Sequence, residues 1–228
     1  MESKGCVEIY PESPPEACVI WLHGLGANGH DFEPIVPFLK IKPSLPIWYI
    51  FPHARSIPVT INNNFVMPAW YDIYSLERGA KIDEKGIRES ADRIKTLIGE
   101  VEERGVTTDK IIIAGFSQGG VVAIETALTY PKKLSGLISI SSYFPTFGTI
   151  KPHENNAEIP ILICHGKNDA VVQESMGDKA YSQLKDMGYE VQYKTYLTEH
   201  SVIPEELLDI GSWITQRLLT QISDGGTF

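Results

Sequence analysis

Apolar residues along this chain fall into two alternating rhythms, short unbroken runs and longer stretches with a helical period. The short runs at 17–22, 47–51, 111–114, 136–141 and 159–164 predict buried strands, and the alternating stretch 190–196 predicts one more. Between them, Asp83 opens an amphipathic helix whose stripe is Ile87, Ala91, Ile94, Leu97, Ile98 and Val101, ending at Gly105. Further helices are expected from Asp31 through Leu39, after Ser117 as far as Tyr130-Pro131, over 172–187 with a stop at Gly188, and from Pro204 onward. Strands alternating with helices predict an α/β architecture, a mainly parallel sheet covered on both faces. Neither an internal repeat nor an interdomain linker interrupts the pattern, so 1–228 reads as a single domain, with 1–5 and 223–228 expected to fray. One stretch escapes both rhythms. From His53 to about Leu76 the chain is rich in Pro and Asn and has no sustained period, which predicts a long loop that is either functional or disordered.

The run 111–114 leads straight into Gly115-Phe116-Ser117-Gln118-Gly119-Gly120. A Gly-x-Ser-x-Gly turn between a strand and a helix holds its serine in a sharp elbow, and the flanking glycines remove the Cβ atoms that would clash as the chain reverses. The bare pattern is weak, and in most chance matches the serine merely caps a helix. Here a β-branched run precedes it, and Val121, Val122, Ile124, Ala127 and Leu128 follow at helical spacing, so Ser117 is the candidate nucleophile.

Charge and cysteine usage narrow the partners and the compartment. A formal net charge of -9, with no Lys/Arg run to offset it, argues against nucleic acid and disfavours anionic membrane surfaces. Cys6, Cys18 and Cys164 form no disulfide framework and no Cys-x-x-Cys pair, which fits a reducing compartment. Met1-Glu2-Ser3-Lys4-Gly5 lacks a basic-then-apolar leader, and no apolar run approaches membrane-spanning length. A cytoplasmic protein is expected.

A serine hydroxyl needs a base within hydrogen-bond reach and a third group to orient that base. In α/β-hydrolases the acid and then the histidine follow the serine, which leaves His153, His165 and His200 as bases. His200 follows the 190–196 strand and precedes the last helix, whereas His153 lies in a polar loop and His165 has little chain before it to supply an ordered acid. His200 is therefore the expected base. Asp169, just after the buried strand at 159–164, is the expected acid, with Glu199 as runner-up. Two backbone N–H groups, of Leu25 in the His23-Gly24-Leu25-Gly26 loop and of Gln118, are assigned to the oxyanion, where each such donor is worth roughly 3 kcal/mol. His23 reads as structural, fixing its loop by hydrogen bonding.

Taken together, His23-Gly24-Leu25-Gly26, Phe51-Pro52-His53-Ala54, Val59-Thr60-Ile61-Asn62, Met67-Pro68-Ala69-Trp70-Tyr71-Asp72, the serine elbow, His165-Gly166 with Asp169, and His200 stand in an order that resembles the phospholipase/carboxylesterase family, which includes acyl-protein thioesterases and small bacterial carboxylesterases. The resemblance spans nearly the whole chain. It implies a minimal α/β-hydrolase without a cap domain, acting on carboxylic esters and thioesters of short to medium or longer acyl chains. It also implies that the loop through Trp70 helps form an acyl groove. Two departures, Ala27 where relatives often carry Asp and Tyr143-Phe144-Pro145 where a Gly-containing segment is more usual, lie where a substrate could be felt.

The leading reading is thus a serine carboxylesterase that forms an acyl-enzyme on Ser117 and needs neither a metal nor an organic cofactor. Val66, Met67, Trp70, Phe144 and Phe147 supply more apolar surface than a loop needs and are the candidates for the acyl pocket, against the plainer reading that they pack loops onto the body. Lysophospholipase and acyl-protein thioesterase activity use the same residues and stay open, as do a transient contact with a membrane surface and the choice between monomer and homodimer. A catalytically silent binding module is the rival from another class, and the intact set of nucleophile, acid, base and oxyanion loop argues against it.

Overall fold

In the computed structural model, residues 2–3, 5–75, 79 and 81–223 are described. Ten strands form, in chain order β1 (Glu2–Ser3), β2 (Cys6–Ile9), β3 (Ala17–Leu22), β4 (Ile47–Pro52), β5 (Ser56–Val59), β6 (Phe65–Pro68), β7 (Ile111–Phe116), β8 (Gly136–Ile140), β9 (Ile161–Gly166) and β10 (Val191–Tyr196). Four α-helices accompany them, α1 (Glu84–Glu103), α2 (Gln118–Thr129), α3 (Glu174–Asp186) and α4 (Pro204–Ser223). Eight strands make one sheet in the order β1-β2-β4-β3-β7-β8-β9-β10. From β4 to β10 every pairing is parallel, and β1 and β2 add an antiparallel edge. This is the α/β-hydrolase fold, and among the described residues no helical cap is inserted over it.

Strand alternation builds two cores. In β3, Cys18, Ile20 and Leu22 join a cluster with α1, α2 and α3 residues such as Ile94, Val122 and Leu184. Val19 and Trp21 point the other way, into a cluster with Leu207, Ile210, Trp213 and Ile214 of α4. The sheet is therefore covered on both faces, as its unbroken apolar strands require. Helix α2 is buried all round from Gln118 to Leu128, which makes it the most enclosed helix packed on the sheet.

Three expectations need correction. The helix after Asp31 is instead two 3-10 segments, Gly29–Asp31 and Glu33–Leu39; Pro34 sits in a first turn, where proline is tolerated, but Pro37 lies inside and lacks the N–H that an α-helix would donate to Glu33 O. Inside the unpatterned stretch after His53, β5 and β6 pair as an antiparallel hairpin outside the main sheet, a pairing hidden by its Pro58 and Pro68. Residues expected to fray at the N-terminus partly form β1, which pairs with β2, while of 223–228, expected to fray at the other end, Ser223 closes α4 and the rest lies outside the described residues.

The functional consequence of the topology is that β3, β4, β7, β8, β9 and β10 all end on one edge. His23, His53, Ser117, Tyr143, Asp169 and His200 each follow one of those ends, so residues far apart in sequence meet there.

Candidate active site

Ser117 is the N-cap of α2, with φ 54° and ψ -120°, a conformation that costs a non-glycine residue about 1–3 kcal/mol. Three glycines make the elbow sterically feasible. A Cβ on Gly119 would stand 2.5 Å from the carbonyl oxygens of Leu22 and His23, and one on Gly120 would stand 2.5 Å from Ser142 Cβ. Gly115 lies against the Gly119 carbonyl, so a side chain there would push α2 off β7. The turn is pinned by the Ser117 N–H donating to Ile140 O at 2.8 Å and the Ser142 hydroxyl donating to Ser117 O at 2.7 Å.

The Ser117 hydroxyl lies 3.0 Å from His200 Nε2, and His200 Nδ1 lies 2.6 Å from Asp169 Oδ2. A carboxylate only accepts, so the Nδ1 proton points at Asp169 and Nε2 is left to accept from the serine. The other Asp169 oxygen accepts from the Val171 and Val172 N–H groups at 2.9 and 2.8 Å. Phe116 lies against the His200 ring at 4.7 Å and restricts its tilt. A hydroxyl so placed can pass its proton to the imidazole as its oxygen attacks an electrophile, and the carboxylate can steady the imidazolium that results. His153 caps the 3-10 turn Glu154–Asn156, its ring accepting from the Asn155 N–H, and buried His165 donates from Nε2 to Val172 O at 2.8 Å, holding the turn that carries Asp169.

Around this group opens a cleft of about 590 Å³. Its apolar walls include Leu25, Phe32, Ile61, Ile73, Val171 and Val202, together with the rings of Tyr71 and Tyr143. None of the five residues expected to line an acyl pocket does so. Trp70 is buried on the core side, its indole N–H donating to His23 O at 2.8 Å and its ring against the His23 ring. Its backbone N–H donates to Gln118 Oε1 at 2.9 Å, and Gln118 Nε2 donates to Tyr71 O at 2.7 Å, so the 69–71 segment ties the His23 loop to the serine elbow. Phe144 is buried in the helical-side core with Phe147 edge-on against it, Val66 is exposed on the hairpin, and Met67 Sδ accepts from Asn62 beneath the rim. The residues that do line the cleft follow the strand ends singly, Ile73 near Tyr71 and Val171 just after Asp169, and only their position after a strand end could have marked them in sequence.

His23 is structural in geometry. Its Nε2 accepts from the Ala54 N–H at 3.0 Å, so the proton sits on Nδ1 and is donated to Gly24 O at 2.7 Å. Burial pushes its pKa down, which keeps the ring neutral beside the loop it shapes. Cys164 is buried behind the strand ends with its thiol pKa pushed well up by burial, so it carries no thiolate chemistry.

Comparison with known proteins decides the family. The family model described as phospholipase/carboxylesterase matches residues 5–218. The chain belongs to the phospholipase/carboxylesterase family. As a member of the phospholipase/carboxylesterase family it is a hydrolase, and the resemblance carried by its motifs is borne out. Acyl-protein thioesterase 1 of Neurospora crassa is 39% identical over 213 residues, covering 89% of this chain and 87% of that protein. Among solved structures in the family's fold, acyl-protein thioesterase 2 of Zea mays superposes with a TM-score of 0.83 at 30% identity, covering 93% of this chain and 98% of that one. SOBER1 of Arabidopsis thaliana gives a TM-score of 0.82 at 33% identity over 89% and 99% of the two chains.

Proposed function

We propose that this chain, acting as one cytoplasmic domain without a metal or organic cofactor, cleaves carboxylic esters and thioesters through an acyl-enzyme on Ser117. The observation that carries this reading is the pair of contacts at 3.0 and 2.6 Å linking Ser117, His200 and Asp169 at the floor of an apolar cleft. Ser117 Oγ attacks the acyl carbonyl while His200 Nε2 takes its proton. The tetrahedral oxyanion is received by the backbone N–H groups of Gln118 and Leu25. Gln118 is the first residue of α2, so its N–H has no acceptor within the helix, and both residues border the cleft. The Gly26 N–H donates to Pro68 O at 2.8 Å and keeps the Leu25 loop close to the elbow. His200 then gives its proton to the leaving oxygen or sulfur, and water, activated by the same imidazole, releases the acid.

The thioester arm of the proposal draws support from the relatives named acyl-protein thioesterase in Neurospora crassa and Gibberella zeae, 39% and 33% identical. The test is hydrolysis of p-nitrophenyl esters of increasing acyl length alongside acyl thioesters of the same lengths, with Ser117→Ala in parallel. The wild type is expected to cleave both series, and Ser117→Ala to lose on the order of 10⁶ in kcat. Unchanged turnover in Ser117→Ala would overturn the nucleophile; cleavage of neither series by the wild type would overturn the substrate class.

A further inference from the structure

The cleft is lined mostly by apolar residues, with Asp31, Asn62, Gln118 and Ser201 as polar ones outside the Ser117–His200 pair, and the hydroxyls of two further lining residues, Tyr71 and Tyr143, lie 2.9 Å apart. Two phenols hold two O–H protons, and their mutual bond uses one. Tyr71 is only 3% exposed, and the described residues offer its hydroxyl no partner besides Tyr143. Were Tyr143 the donor, the Tyr71 proton would be buried without an acceptor, a cost avoided if Tyr71 donates instead. Tyr71 therefore donates to Tyr143, which leaves the proton of Tyr143, a partly exposed residue of the cleft lining, available to an acceptor other than Tyr71. Burial raises the pKa of both phenols, so both remain donors across the neutral range.

The pair is held rigidly next to the nucleophile. Gln118, the residue after Ser117, holds the Tyr71 carbonyl from its side chain, and Ser142, which bonds the Ser117 carbonyl, directly precedes Tyr143. A fixed hydrogen-bond donor in an apolar wall discriminates in one direction. An alkyl chain laid across it buries the hydroxyl without a partner, whereas an oxygen at the same point pairs with it.

Resting on the ester and thioester reading of Ser117, we propose that Tyr143, pre-oriented by Tyr71, is a specificity-determining residue that selects substrates carrying a neutral acceptor oxygen, an ether, hydroxyl or carbonyl, a few atoms from the scissile bond. All-alkyl groups long enough to reach Tyr143 are correspondingly disfavoured. Tyr143 takes no part in the bond-making steps.

The experiment compares matched p-nitrophenyl acyl esters in which one methylene is replaced by an ether oxygen at successive positions, read as the kcat/KM ratio of oxa to alkyl substrate. Wild type is expected to favour the oxa member at one or two adjacent positions by about tenfold. Tyr143→Phe should erase that ratio mainly by gaining activity on the alkyl member, a gain that a folding defect would not produce. Tyr71→Phe, which leaves the Tyr143 proton in place but unoriented, should lower the ratio by less. A flat ratio at every position in wild type, or a ratio unchanged in Tyr143→Phe, overturns the inference. Ser117→Ala separates the two proposals: if it abolishes turnover of both members, a flat ratio counts against Tyr143 alone, and if it does not, the parent reading fails.

Discussion

Asp169 and Glu206 are both buried carboxylates, 5% and 1% exposed, and they differ in what faces them. Asp169 is met by the Val171 and Val172 N–H groups on one oxygen and by His200 Nδ1 on the other. Glu206, in the first turn of α4, makes no hydrogen bond of good geometry with either oxygen, although the Ile203 N–H at the helix start lies near enough to offset part of the cost. Burial, with Asp209 adding to it, pushes the Glu206 pKa up to about 7. Burial alone thus does not decide how a carboxylate is held. What distinguishes Asp169 is a set of donors that fixes its direction, whereas Glu206 has been enclosed by α4 packing on the sheet and bears the desolvation largely uncompensated.

The largest effect expected from this contrast is on Asp169. Asp169→Asn keeps an oxygen for the two turn N–H groups but presents His200 with an amide that can favour the wrong tautomer, so kcat should fall by about 10⁴ with the fold intact. Steady-state kinetics with a thermal melt checks both halves, and a loss under tenfold would place the orienting acid elsewhere.

Glu206→Gln should act on stability and leave the chemistry alone. In the unfolded chain this carboxyl ionises near its ordinary 4.5 and in the folded chain near 7, so between those values the folded state holds the extra proton and stability falls as pH rises. Above pH 7 the full penalty stands, on the order of 3 kcal/mol, and below about pH 4.5 it vanishes. Urea unfolding should show the variant more stable than wild type at pH 8 and equal to it at pH 4.5. Equal midpoints at pH 8 would mean that the carboxylate finds a partner when ionised.

The smallest effect sharpens how the Asp169 turn is held. His165→Leu removes the donor to Val172 O, which should cost about 1–2 kcal/mol of stability and a modest share of kcat. His165→Gln, which can reach the same carbonyl with an amide N–H, should restore much of both. No difference between the two variants would reduce His165 to a space-filling role beside Gly177.

The contrast also shows which placements a sequence makes legible. Asp169 was legible because it follows a buried run directly, and a strand end is a local feature. Glu206 lies in an ordinary acidic first turn beside Glu205, and nothing in that pattern says that one carboxylate points at solvent and the other into the sheet. The apolar loop residues misled for the same reason. Trp70 reads as surplus hydrophobic surface, yet its indole N–H and backbone bridge His23 and Gln118, contacts that span 47 and 48 residues of chain.

By itself, then, the sequence determined what depends on neighbours along the chain: the unbroken apolar strands, the amphipathic stripe of α1, the glycine-flanked Ser117 elbow and the places of Asp169 and His200 shortly after strand ends. The interior proline at 37, local as well, bars a regular α-helix where 3-10 turns stand instead. Only the tertiary structure decided which side chains face the cleft, which acid is buried without partners, and that Tyr71 and Tyr143 share one proton across 72 residues. The physical reason is that strand order brings six chain segments to one edge of the sheet, and the direction of each side chain there is set by packing against segments that no local period encodes.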